Sequence, residues 1–174
     1  LIQNEGSFIP NTEKFIKLKT VIKDIVNSGI LDLKTASRLE IFDDEVIGKT
    51  AEIINDFSFS RKRLFVNYMV ELYKKGNSSL RDILEILAYA QNSDNPFEYA
   101  ASVRYPQLKK LENDFSSYNE KYLKGSGIQL KSPPSFEGGS YTVQFSFKSQ
   151  KQLGRILDRL EKVRESSDEI FRLL

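Results

Sequence analysis

From Tyr141 to Lys148 the chain alternates without a break. Tyr141, Val143, Phe145 and Phe147 are apolar or aromatic, and Thr142, Gln144, Ser146 and Lys148 between them are polar. Successive side chains on a strand point to opposite faces, so this run asks for a strand that is half-buried on a single face. One other stretch can pair with it: Ile128-Gln129-Leu130-Lys131, which alternates over four residues. Pro133-Pro134 and the turn Glu137-Gly138-Gly139-Ser140 separate the two, and the prolines make the first strand short or an edge. Two strands alone are marginal in water. Their apolar face can rest on helical segments at 107–124 and 149–164, but strand edges stay open and invite pairing. Joining two hairpins across a two-fold axis would complete a larger sheet. The alternative is a monomer whose edges are covered by the prolines and the terminal helix.

The rest of the pattern is helical. Thr12 caps a predicted helix carrying Phe15, Leu18, Val21, Ile22, Ile25 and Val26, which Gly29 stops. Asp32 caps a short helix with Leu33, Ala36, Leu39 and Ile41, and Asp43-Asp44 open a third with Val46, Ile47, Ile53 and Ile54. Leu64, Phe65, Tyr68, Met69 and Leu72 form a broad stripe that ends at Gly76-Asn77. Ser79 and Asp82 have capping-box spacing ahead of Ile83, Leu84 and Leu87. Asn95-Pro96 restarts a helical segment and Tyr105-Pro106 interrupts it. A helix from about Gln107 to Lys124 follows, and Gly125-Ser126-Gly127 breaks it. Ser149 caps a helix with Leu153, Ile156, Leu157, Leu160 and Val163 on one face, and a last helix runs from Ser167 to Leu174. The fold class expected is α+β: a mostly helical N-terminal region, 1–103, then a C-terminal α-β-β-α module, 104–174. Its two-stranded antiparallel hairpin would be extended by dimerisation.

Composition narrows the chemistry. The 174 residues include no cysteine and no histidine. Disulfides, thiol nucleophiles, Cys/His zinc sites and Ser-His-Asp catalysis are therefore excluded for this sequence. Asp43-Asp44-Glu45 could bind a hard cation, although capping explains acids at a helix start. The glycine turns do not form a phosphate-cradling loop followed by Lys-Ser/Thr. No catalytic residue, metal site or cofactor is assigned. The apolar runs fall short of the ~20 residues of a membrane span, so no membrane partner is expected. The absence of cysteine is compatible with a cytoplasmic location. The chain starts at Leu1 rather than Met and reads as a piece of something longer, extended on its N-terminal side.

Charge is balanced overall, 26 basic residues against 24 acidic, but unevenly placed. Between Arg104 and Arg164 twelve basic residues face six acidic ones, so this stretch carries +6 and the remainder −4. Lys151, Arg155, Arg159 and Lys162 recur at helical spacing opposite the apolar stripe, Lys148 lies on the polar strand face, and Lys121, Lys124 and Lys131 flank the strands. Such a stripe can neutralise several phosphates and gives salt-dependent, sequence-independent nucleic-acid binding. Basic helix faces are common, and a solvated face with Asp158 and Glu161 pairing to Arg155, Arg159 or Lys162 explains the same letters. Arg61-Lys62-Arg63, near a helix start, is a second cluster that an anion would relieve. Lys34 and Arg38 form a weaker pair one turn apart.

The run Gly139-Ser140-Tyr141-Thr142-Val143-Gln144-Phe145-Ser146-Phe147-Lys148-Ser149, followed by Gln152-Leu153-Gly154-Arg155-Ile156-Leu157-Asp158-Arg159-Leu160, resembles the end of ParB-type partition proteins. Val26-Asn27-Ser28-Gly29-Ile30-Leu31-Asp32-Leu33-Lys34-Thr35-Ala36-Ser37-Arg38-Leu39 is similar to the stretch after that family's helix-turn-helix. The resemblance implies homodimerisation, with Tyr141, Val143, Phe145, Phe147, Leu153, Ile156, Leu157 and Leu160 at the dimer core. It also implies contact with the DNA phosphate backbone through Lys148, Lys151 and Arg155, a partition ATPase as a further partner, and a cytoplasmic, nucleoid-associated setting. The family's nucleotide-binding domain has no counterpart in these residues. The function expected is therefore the non-catalytic C-terminal part of a ParB-like protein. Two rival readings are a protein-interaction module indifferent to DNA and the regulatory part of a ParB-like nuclease.

Overall fold

The computed structural model describes residues 12–75 and 78–173. The fold is α+β: helices first, then a two-stranded antiparallel hairpin between helices. The chain divides into two compact units, Leu1–Arg104 and Tyr105–Leu174.

Within the described residues of the first unit, a helical segment over 12–17 is followed by α1 (Thr20–Asn27), α2 (Leu33–Ala36), α3 (Asp44–Ile54), α4 (Phe59–Lys75), α5 (Leu80–Gln91) and α6 (Pro96–Arg104). A 3-10 turn, Ser37–Ile41, continues α2. Local signals fix most of the helix starts. The Asp32 carboxylate accepts from the Thr35 amide at 2.9 Å and from its hydroxyl at 2.6 Å. Asp43 accepts from the Val46 amide at 2.9 Å. Ser79 and Asp82 close a reciprocal capping box on α5. Burial tends to raise the Asp32 carboxyl, but the two Thr35 bonds and the charge of Arg63 outweigh it and hold it below the ordinary aspartate value.

The apolar stripes then meet. Ile22, Leu39, Phe42, Val46, Ile47, Ile54, Phe65, Val66, Met69, Ile83 and Leu87 form one core and lose essentially all contact with solvent. α3 packs on α5, and α4 and α5 both pack on α6. Truncating a side chain such as Phe65 to Ala should cost about 3–5 kcal/mol.

One expected helix is two. The segment from Thr12 to Val26 breaks at Leu18–Lys19, and α1 begins only at Thr20. The reason is tertiary: Lys19 donates to the Phe42 carbonyl and lies 3.8 Å from Asp44. Leu18 turns into the core beside it. The expected stop at Gly76-Asn77 and the end of the last helix at Leu174 lie outside the described residues.

The second unit contains α7 (Pro106–Leu123), β1 (Ile128–Lys131), β2 (Thr142–Phe145), α8 (Gln150–Glu165) and α9 (Ser167–Phe171). Pro106 occupies the first turn of α7 and Ser149 caps α8 through the Gln152 amide. The register pairs Ile128 with Phe145 and Leu130 with Val143. Directly opposed residues share a face, so these four make the apolar side of the hairpin.

Two stability outcomes follow from the first unit. Thr50 is fully buried on α3 and its Oγ1 has no hydrogen-bond partner among the described residues. Thr50→Val keeps the shape and removes the orphaned hydroxyl, so urea unfolding should show a gain of about 1 kcal/mol. Asp32→Ala should cost about 1 kcal/mol through the lost cap. Because the folded Asp32 carboxyl lies below its unfolded value, its contribution is complete above the unfolded value and disappears as pH falls through the folded one. Wild type and Asp32→Ala should therefore converge in acid.

Candidate nucleic-acid interface and unpaired strand edge

α7, α8 and α9 cover the hairpin from one side only. Ile128 and Leu130 of β1 are buried with Tyr118, Leu123, Ile156 and Ile170. Hydroxyls at the rim tie the helices together: Tyr118 Oη lies 2.8 Å from Ser166 Oγ, and Tyr141 Oη donates to the Ile170 carbonyl at 3.0 Å. Burial raises both tyrosine hydroxyls above their ordinary value. Phe115 stacks on Tyr141 with ring centroids 5.8 Å apart and meets Phe136 edge-on at 5.7 Å. Phe136 is buried with a positive φ of 59°, after Ser135 at 53°. Left-handed conformations at two non-glycine residues cost energy, and the buried ring anchors the turn that holds them.

The cover stops at β1. All four residues of β2 are exposed, against the expectation of a half-buried strand. Val143 is 41% exposed and Phe145 37%, although each is paired with a buried residue of β1. Phe147 is 50% exposed and lies just past the strand, which ends at Phe145. On α8 only Ile156 is fully buried; Leu153 and Leu160 are half-buried and Leu157 is 54% exposed. β2 pairs with β1 alone among the described residues, so its other edge has free backbone donors and acceptors. Of the eight residues expected at a dimer core, Val143, Phe145, Phe147 and Leu157 are thus exposed, Tyr141, Leu153 and Leu160 are partly buried, and Ile156 is buried in the protomer's own core.

The cations divide into two groups. Lys121 is held by Glu169 at 3.2 Å and lies 4.5 Å from the centre of the Tyr122 ring, and Lys124 is held by Glu120 at 2.5 Å. Tyr122 Oη also donates to Glu169 at 2.8 Å. The Tyr122 and Lys121 contacts hold the Glu169 carboxyl below its ordinary value, and those from Tyr122 and Glu169 raise Lys121. Lys131 reaches Gln144 at 3.2 Å, a neutral partner that leaves its charge uncompensated. Lys148, Lys151, Arg155, Arg159 and Lys162 have no carboxylate within ion-pair distance among the described residues. The local pairing expected of a solvated face does not form: Glu161 bonds Arg164 instead. Arg155, Arg159 and Lys162 line one side of a cleft of about 430 Å³, with the Gly125-Ser126 turn at its rim.

The first-unit triplet does not form one patch. Arg61 sits over the Phe97 ring, 5.3 Å from its centre, while the charge of Arg63 acts on Asp32. Lys62 is half-buried between them. Neighbouring helix positions point in different directions, so three cations in a row cannot all face one ligand. Arg38 bonds Asn67.

The acids once open to a cation are occupied. Asp43 caps α3, Asp44 faces Lys19 and Glu45 bonds Lys49 at 3.2 Å. No three acidic side chains converge as a metal site among the described residues. No described helix is long and apolar enough to cross a membrane.

The geometry defines a class: a helical unit joined to a helix–hairpin–helix unit that has an open apolar strand and a helix with a stripe of unpaired cations. Comparison with family models, curated proteins and solved structures finds no match to the chain.

The Lys121–Tyr122–Glu169 cluster has a measurable pH signature. With a depressed folded carboxyl, Glu169 stabilises the docking of α9 above its unfolded value and ceases to do so as pH falls through the folded one. The thermal midpoint of Glu169→Gln should lie below wild type at neutral pH, and the gap should close in acid.

Proposed function

We propose that this chain is the dimerising, non-catalytic part of a ParB-like DNA-binding protein, in which two copies join at β2 and present a basic surface to the phosphate backbone. The observation that carries the reading is β2 itself. A strand with Val143 and Phe145 exposed, an unpaired edge and Phe147 following it resembles half of an interface. A second copy is the occupant that fits, because an antiparallel strand meeting its own copy across a two-fold axis satisfies both edges with one surface. The uncompensated cations from Lys148 to Arg159 begin three residues after that strand ends. Dimerisation would double this stripe, and two weak sites on one particle bind a polymer far more tightly than one.

The rival without DNA predicts the same dimer and no salt-dependent binding. A nuclease-like role has less support, since the Asp43-Asp44-Glu45 acids serve capping and ion pairing.

Sedimentation should find the wild-type chain dimeric at micromolar concentration. Phe145→Glu places a charge on the seam and should weaken association by at least about 30-fold, as expected for a central interface residue. A wild-type chain that sediments as a single protomer at high micromolar concentration would sink the seam. For DNA, log K for a duplex should fall with log salt at a slope of about −0.9 per phosphate neutralised, near −3 to −4 for four contacts per protomer. Affinity indifferent to salt would favour the rival.

A further inference from the structure

Outside the dimer seam, three places in the molecule hold unused chemistry: the Tyr89–Tyr99 ring pair of the first unit, with Tyr89 exposed, the groove between α7 and β1, and the cleft between α8 and the turn after α7. The cleft carries the most. It is lined by Gly125, Ser126, Gln152, Arg155, Ile156, Asp158, Arg159 and Lys162.

We propose that this cleft is a seat for one phosphoryl group, the point at which a backbone phosphate of nucleic acid locks onto the unit. The proposal rests on the DNA reading above and adds a place to it. Arg155 and Arg159 are one turn apart and Lys162 lies three residues on, so the three fall along one side of α8. None has an acidic partner within ion-pair distance among the described residues, whereas Lys109, Lys121, Lys124 and Arg164 of the same unit all have one. The three cations that face the cleft are thus without counter-charge, as are Lys148 and Lys151 nearby in sequence.

A neutral donor stands beside them. Gln152 Oε1 accepts from the Lys148 amide at 2.8 Å, which fixes the side-chain amide and leaves its NH2 group to donate. The opposite rim is a turn closed by its own hydrogen bonds. Gly125 and Gly127 both have positive φ, 72° and 76°, which an L side chain rarely adopts. Ser126 Oγ donates to the Leu123 carbonyl at 2.7 Å and accepts from the Ile128 amide at 3.1 Å. Its hydroxyl proton is committed, so the seat's donors are Arg155, Arg159, Lys162 and Gln152. Buried Ile156 forms the apolar floor. Arginine forks suit phosphate oxygens in pairs, and a lysine adds a point charge.

Asp158 lines the same cleft and opposes an anion. Three cations against one carboxylate leave a local charge of +2, enough to admit a phosphate while holding its affinity down. This makes Asp158 a diagnostic position: removing its charge should strengthen binding at the cleft and nowhere else.

The test uses the full chain and two probes, inorganic phosphate and a short DNA duplex. Under inorganic phosphate, at constant ionic strength in chloride, amide and side-chain NMR shifts should saturate at Gly125, Ser126, Gln152, Arg155 and Arg159 and stay small at Lys151. Shifts that never saturate, or that spread evenly along α8, overturn the seat. With the duplex, Arg159→Gln combined with Lys162→Gln should remove the seat's one phosphate contact, reducing the salt slope by about 1 and weakening binding more than tenfold at moderate salt, while Lys151→Gln, outside the cleft, should cost several-fold less affinity. Asp158→Asn should tighten inorganic phosphate several-fold, and an unchanged or weaker affinity counts against the proposal. The substituted side chains are exposed or half-buried, and a thermal scan confirms that each variant is folded. If wild type binds the duplex with a normal slope that Arg159→Gln/Lys162→Gln leaves intact, the seat falls and the DNA reading stands. If wild type ignores the duplex yet saturates with inorganic phosphate, the DNA reading falls and the seat is one for a free phosphate.

Discussion

The second unit is organised by a mismatch of widths. The helices α7, α8 and α9 bury the β1 side of a two-stranded hairpin and leave β2 outside. Leu130 and Val143 face the same way and are directly paired, yet Leu130 is buried and Val143 is exposed. A hairpin with half its apolar face in water is incomplete by itself, because two strands provide neither enough buried area nor a covered edge. The other features of the unit are arranged around that fact. The Tyr118–Ser166 and Tyr141–Ile170 bonds pin α8 and α9 to the covered side. The strained turn at Ser135-Phe136 carries the chain across to the open strand.

Electrostatics follow the same division between satisfied and open. Where two helices meet, cations are neutralised: Lys121 by Glu169, with Tyr122 bridging. Along the outward side of α8 they are not. A charge count over the segment cannot make this distinction, since Lys121 and Arg159 each contribute one unit to it. Pairing makes it: Lys121 and Lys124 have carboxylate partners, whereas Lys131, Lys148, Lys151, Arg155, Arg159 and Lys162 have none within ion-pair distance among the described residues.

Local signals in the chain proved reliable where their cause is local. Asp32, Asp43, Ser79 and Ser149 each cap the helix their spacing indicates, because a cap needs only a side-chain oxygen and an amide two or three residues on. The antiparallel pairing of the two alternating runs is likewise legible. The break at Leu18–Lys19 was not legible, since it depends on the Phe42 carbonyl, far along the chain. Nor was the division of Arg61-Lys62-Arg63, where Arg61 lies over the Phe97 ring while the charge of Arg63 acts on Asp32.

The order of letters alone determined the architecture, α+β with a period change at Gly125, because periodicity and capping are properties of neighbours along the chain. It also determined what chemistry is impossible, since histidine and cysteine are missing altogether. Tertiary structure decided how far the helices reach across the hairpin and which charges find partners. Both depend on distances between residues remote in sequence, and alternation that reads as half-buried says nothing about whether its own chain supplies the cover.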